Sequence, residues 1–173
     1  MASRSPTSAS SDKSRPEKTI LDLFVLRHGE AGVKIEDPEK DDARPLTRDG
    51  RQEMEVVARS LTRIGVRLEL VASSPLPRAF QTAEIVARRF KKLNKLEQWE
   101  ELKPQSETDA LYRRLSRQKR SSGILIVGHE PMLSSMIGEI ISGNAGVNIV
   151  LKKAGLAKLE ILGFRPKITG ELR

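Results

Sequence analysis

The chain has 173 residues, enough for one domain around one core, with 31 Lys and Arg against 23 Asp and Glu for a formal charge of +8. That excess favours anionic partners, while aromatic residues at 3% are too sparse for base stacking along a single-stranded nucleic acid. The absence of cysteine excludes disulfides, a redox thiol and a cysteine zinc site, and fits a reducing cytoplasm; no apolar run is long enough to span a bilayer.

Residues 1–19 are rich in Ser, with Pro, Lys and Arg, and lack the apolar stretch of a secretory signal; they are expected to be a disordered tail before a single domain over 20–173. Ile20 to Leu26 is a nearly continuous apolar run, the pattern of a strand covered on both faces. It stops at Arg27-His28-Gly29-Glu30, and the polar stretch from Ala31 to Pro45 reads as a loop. Thr47 is placed as an N-cap, and Met54, Val57, Ala58, Leu61 and Ile64 then recur at helical spacing until Gly65. Leu68 to Ala72 is a second strand leading into Ser73-Ser74-Pro75-Leu76-Pro77-Arg78, and a second helix carries Ala79, Ala83, Val86 and Phe90 on one face. Leu96 to Leu102 reads as a short strand, Glu107 to Lys119 as a third helix, and Ile124 to Val127 as another buried strand. That strand ends in Gly128-His129-Glu130-Pro131, and Met132, Leu133, Met136, Ile137, Ile140 and Ile141 form the face of a fourth helix. Asn144 to Val147 is a turn region, and Ala157 to Leu162 is expected to be the last strand. Strands alternating with helices give an α/β fold, a three-layer α/β/α sandwich with a mainly parallel central sheet.

The two histidines, His28 and His129, each follow an apolar strand directly and sit beside a glycine. In a parallel sheet, ligands bind outside the carboxyl ends of the strands, so both imidazoles should arrive at one crevice. Arg27 and Arg78 should arrive there too. Two imidazoles and two guanidiniums at one sheet edge suit a phosphate dianion, because guanidinium offers a planar fork of donors.

These residues resemble the histidine phosphatase superfamily, the phosphoglycerate mutase-like enzymes. The resemblance runs through Arg27-His28-Gly29, Leu46-Thr47, Ser73-Ser74-Pro75 with Arg78-Ala79-Phe80-Gln81-Thr82-Ala83, and Val127-Gly128-His129-Glu130-Pro131, in order from about Leu21 to Leu162. The short length and the Leu151-Lys152-Lys153-Ala154-Gly155 stretch are similar to the SixA-type phosphohistidine phosphatases. The resemblance implies that His28 attacks phosphorus and carries the phosphoryl group. It implies that Arg27, Arg78 and His129 hold the other phosphate oxygens, and that no metal or cofactor is required. A proton donor for an alkoxide leaving group is expected at Glu101, with Glu100 a neighbouring competitor; an imidazole leaving group relaxes that need. Glu30 either orients an imidazole or faces solvent. Arg113, Arg114, Arg117, Lys119 and Arg120 read as a solvated helix face. Chains of the resembled group run on past a segment like Gly170-Glu171-Leu172 to an apolar tail, whereas this sequence ends at Arg173, which leaves the completeness of the last strand open.

The implied activity is a cytoplasmic, monomeric phosphohistidine phosphatase acting on a phosphorylated protein, such as a histidine phosphotransfer domain, with no nucleic-acid or membrane partner. A small-molecule phosphomonoester phosphatase on the same site is the alternative. A mutase is disfavoured because the chain is too short for the insertions that enclose sugar phosphates in larger relatives.

Overall fold

The computed structural model describes residues 20–119, 123–164 and 167–173. The expected tail over 1–19 and Arg120 lie outside the described residues. The chain order is β1 (Leu21–Arg27), α1 (Pro38–Asp42), α2 (Arg48–Arg63), β2 (Leu70–Ser73), α3 (Pro77–Arg89), β3 (Leu96–Gln98), α4 (Thr108–Leu115), β4 (Gly123–Gly128), α5 (Met132–Ser142), β5 (Leu156–Gly163) and β6 (Thr169–Leu172). The six strands form one sheet in the order β3-β2-β4-β1-β5-β6. β1, β2, β3 and β4 are mutually parallel along their shared edges, while β5 runs antiparallel to β1 and to β6. The expected α/β fold with a mainly parallel sheet is the fold observed.

Alternation along the buried strands builds three layers from apolar runs that show no alternation in polarity. Leu23 and Val25 of β1, with Ile124 and Ile126 of β4, join a core with α4, α5, Trp99 and Leu102. Phe24 and Leu26, with Leu125 and Val127, join a second core with Met54, Ala58 and Leu61 of α2 and Ala79, Ala83 and Val86 of α3. Met132 and Met136 are buried in the first core, as their helical spacing indicates.

Thr47 caps α2, its hydroxyl accepting from Gly50 N, and Gly65 follows the helix with φ +78°. Gly50 lies where α2 presses on the segment after β1: a Cβ there would collide with the Glu30 backbone. A Cβ on Gly29 would come within 2.9 Å of the Met54 side chain. The two glycines therefore let the helix seat directly on the residues around His28.

Four expectations are corrected. The Ala31–Pro45 loop contains the short helix α1, capped by Asp37, whose carboxylate accepts from Glu39 N and Lys40 N. The segment expected as one strand over Leu96 to Leu102 leaves the sheet at Gln98 and turns through a single 3₁₀ turn, Glu100–Leu102, which buries Leu102. The third helix ends at Leu115, not Lys119, because no apolar face continues beyond that residue. Ala157 to Leu162 is not the last strand: β6 pairs antiparallel to β5 at the sheet edge.

Candidate active site

β1 and β4 are neighbours in register, with Arg27 opposite Gly128, so the residues that follow both strands leave the sheet side by side. His28 N donates to Gly128 O at 3.2 Å, and the two imidazoles lie with ring centroids 5.0 Å apart. β2 delivers the third component. Its end is held by Ser74 Oγ, which accepts from Leu76 N, and Pro77 then opens α3 with Arg78 in the first turn. Thr82 binds the parts together: its hydroxyl donates to Arg78 O and accepts from Gly29 N. Gln81 Oε1 accepts from Leu46 N, tying α3 to the segment before α2. Thr82, read in the sequence only as part of a motif, thus fixes Arg78 and Gly29 relative to each other, while Gln81 fixes Leu46.

The resulting cleft has a volume of about 580 Å³ and is lined by Arg27, His28, Arg78 and His129, among others. His28 Nδ1 lies 2.7 Å from Gly29 O. That contact requires the proton on Nδ1 and leaves the Nε2 lone pair unprotonated. Arg27 Nη1 donates to Leu151 O, and its Nε is buried without a partner. Arg78 Nη1 donates to the carbonyls of Asp41 and Asp42, at 2.8 and 3.4 Å, and its Nε is likewise unpartnered. Neither ring nitrogen of His129 has a partner. Buried donors left open are costly, and here those of three residues lining one cleft await an acceptor.

Residues not anticipated from sequence complete the walls. Asp41 accepts from Ile35 N and from Arg44 Nε, and its carboxylate lies 3.8 Å from Arg78 Nη2. Arg44 also donates to Ala31 O, so α1 acts as a brace behind Arg78. Lys153 reaches the cleft from the Leu151–Gly155 segment and pairs with Glu30 at 2.7 Å. Glu30 also accepts from Ala31 N and Gly32 N, so it braces the loop and orients no imidazole. The Lys153 hydrogen bond holds the Glu30 pKa below its ordinary value.

Glu101 is not brought to the cleft. Its carboxylate accepts from Arg114 Nη1 at 3.0 and 3.2 Å and is absent from the cleft lining. The same Arg114 lies 4.4 Å over the buried Trp99 ring, so it is not part of a purely solvated face. Glu100 pairs with Lys103 on the surface. The 3₁₀ turn directs Glu101 toward α4 and leaves Glu100 on the surface, so neither acid lines the cleft.

Burial, with Arg78, Arg27 and Lys153 adding repulsion, pulls the His28 pKa from 6.5 down to about 4. Burial, His28 and the two arginines pull His129 down to about 3. Both rings are therefore neutral at pH 7. His129 gains a proton only once a bound anion offsets its burial and the neighbouring arginines. A consequence for stability follows. Unfolding restores pKa values near 6.5, so below that pH the unfolded chain binds more protons and stability falls as pH drops toward 4. Each histidine contributes up to about 1.4 kcal/mol per pH unit across that window. Glu30 and Asp41 act with the same sign, but only below their ordinary values of 4.5 and 3.8. Denaturation midpoints measured from pH 6.5 to 4.5 should fall steadily, and less steeply in His129→Asn. Midpoints that stay level across that range would contradict neutral burial of the rings.

Comparison with known proteins bears on the family and the fold. The family model for the histidine phosphatase superfamily (branch 1) matches residues 23–107. An uncharacterized protein of Picosynechococcus sp. is 34% identical over 142 residues, covering 80% of this chain and 84% of that protein. The phosphohistidine phosphatase SixA of Escherichia coli is 29% identical over 125 residues, covering 71% of this chain and 76% of SixA. Among solved structures, the protein histidine phosphatase SixA complexed with tungstate superposes with a TM-score of 0.75 at 24% identity, over 88% of this chain and 94% of that one. The mycobacterial glucosyl-3-phosphoglycerate phosphatase complexed with VO3 shares the fold at a TM-score of 0.65 and 15% identity, over 87% and 96%. These matches in sequence and in fold place the chain in the histidine phosphatase superfamily, as a phosphatase similar to SixA.

Proposed function

We propose that the protein removes phosphate from a protein phosphohistidine through a covalent intermediate on His28. The observation that carries this reading is the set of open donors on Arg27, Arg78 and His129 in the cleft that holds the His28 ring. His28 Nε2 supplies the electron pair to phosphorus, and the substrate imidazole leaves. Arg27, Arg78 and His129 bind the other phosphate oxygens and stabilise the charge on them without reorganising. Water then releases phosphate from His28. The low His28 pKa keeps its nucleophilic pair available at neutral pH.

Likeness to SixA supports a protein substrate. So does the rim of the cleft. Val33, between the lining residues Gly32 and Lys34, is 88% exposed. An apolar side chain at such a mouth suits contact with another protein surface better than with a small, hydrated ester. The enzyme is read as a monomer and as cytoplasmic, and the cysteine-free sequence fits the reducing compartment. Among the described residues, no helix is long and apolar enough to cross a membrane.

The test compares a phosphorylated histidine phosphotransfer domain, free phosphohistidine and p-nitrophenyl phosphate. Contacts beyond the phosphoryl group should raise kcat/KM for the domain about 100-fold over free phosphohistidine. Equal kcat/KM for the domain and the free amino acid would remove the protein-substrate reading.

A further inference from the structure

Glu130 directly follows His129 and lines the same cleft. Its Oε1 is buried and has no hydrogen-bond partner. The other carboxylic side chains lining the cleft, among the described residues, are Asp41 and Asp42. Asp41 is engaged by Arg44, Ile35 N and Arg78, and Asp42 faces Arg78 at 3.8 Å with its side chain 54% exposed. Glu30 is taken by Lys153 and Glu101 by Arg114. Glu130 is thus the one carboxyl group of the cleft lining with a buried oxygen that nothing satisfies. An open, desolvated carboxyl oxygen has a use where a proton must be given or taken.

We infer that Glu130 is the proton-transfer residue of this site, equipping it for phosphate esters as well as phosphohistidine. The inference rests on phosphoryl transfer to His28 as proposed above. With an ester, the His28 Nε2 pair forms the N–P bond while the P–O bond breaks and leaves its pair on oxygen. Protonated Glu130 gives its proton to that oxygen, so an alcohol departs and a carboxylate remains. In the second half, a water oxygen forms the new P–O bond, the N–P pair returns to Nε2, and the Glu130 carboxylate takes one water proton. Phosphate leaves and the glutamic acid is restored. A phosphohistidine protonated on its other ring nitrogen leaves as neutral imidazole, so it needs Glu130 only in the second half.

Glu130→Gln keeps the shape and removes the transferable proton. Rapid mixing of this variant with p-nitrophenyl phosphate should give a stoichiometric burst of p-nitrophenol. A steady state about 100-fold slower than wild type should follow, with phosphorylated His28 accumulating on alkaline quench. With an alkyl phosphate, whose leaving group needs the proton, the burst itself should vanish. If the variant folds poorly, Glu130→Ala is used instead, and added formate should restore its steady state. Wild-type turnover by the variant overturns the inference, as does equal loss of burst and steady state with the aryl ester, or an alanine variant that formate does not rescue. Failure of the wild-type protein to become phosphorylated on His28 would instead sink the covalent mechanism itself.

Discussion

His28→Ala is expected to lower phosphate release by on the order of 10⁴-fold or more, with every substrate, while the fold persists. On the proposed mechanism this ring supplies the only nitrogen lone pair that is both unprotonated and directed by a fixed tautomer. Its Nδ1 proton is held by Gly29 O, and no other imidazole in the cleft has such an anchor, since both nitrogens of His129 are open. Without the nucleophile, water must attack a bound dianion directly, and the two-step route is lost. Each tenfold loss corresponds to about 1.4 kcal/mol of barrier, so about 6 kcal/mol is being assigned to one side chain. The cost to folding is much smaller. Truncation removes one neutral hydrogen bond, worth about 1 kcal/mol, along with a ring whose burial already opposes its protonation. Circular dichroism and the denaturation midpoint at pH 7.5 should therefore stay close to wild type. Turnover by the folded variant within tenfold of wild type would end the covalent proposal. A variant still labelled by phosphate would place the acceptor elsewhere.

The parts of this site that could be read from sequence are those fixed by strands. Nearly continuous apolar runs ending in Arg27-His28 and Gly128-His129 have the pattern of buried parallel strands, and parallel strands deliver their carboxyl ends to one edge. Arg78 follows from the same logic one helix turn later. The parts that stayed hidden depend on pairing across the chain. Helix α1 has five residues, Pro-Glu-Lys-Asp-Asp, with no apolar period to betray it. It forms because Asp37 caps it and because Asp41 meets Arg44 and Arg78, partners that no local pattern announces. The shift of Glu101 toward Arg114 has the same origin. Glu101 lies on a turn anchored by the buried Trp99 and Leu102, and Arg114 on a helix anchored by the buried Leu111 and Leu115. Strand β6 was missed because its side chains are mostly exposed and its pairing with β5 is a matter of backbone register. Glu130 stands beside His129 in the sequence, but its importance lies in an oxygen without a partner, which only the fold reveals.

Arg78→Ala is expected to reduce kcat by about 10³-fold, and Arg78→Lys by nearly as much. The guanidinium is 4% exposed and enters the cleft at a fixed angle, because one nitrogen is pinned to the Asp41 and Asp42 carbonyls while Nε stays open. A planar fork can satisfy that anchor and a phosphate oxygen together; an ammonium on a flexible stem cannot do both from one direction. Removal also takes away the cation that stands beside two carboxylates. The carboxylates of Asp41 and Asp42, each 3.8 Å from Arg78 Nη2, would then face the incoming dianion without a cation between them. The loss should therefore appear in vanadate affinity as well as in kcat. Folding should weaken by about 1–3 kcal/mol, the cost of leaving the Asp41 carbonyl and its neighbours unpaired. Asp41→Asn separates positioning from charge. It keeps the α1 carbonyls that hold Nη1 but weakens the clamp through Arg44, and it should cost about tenfold in kcat with little change in stability. Kinetics, vanadate titration and urea denaturation on the three variants make the comparison. If Arg78→Ala turned over within threefold of the native enzyme, the open Nε would have to be a packing defect, and the phosphate would have to be held from the β1 and β4 side alone.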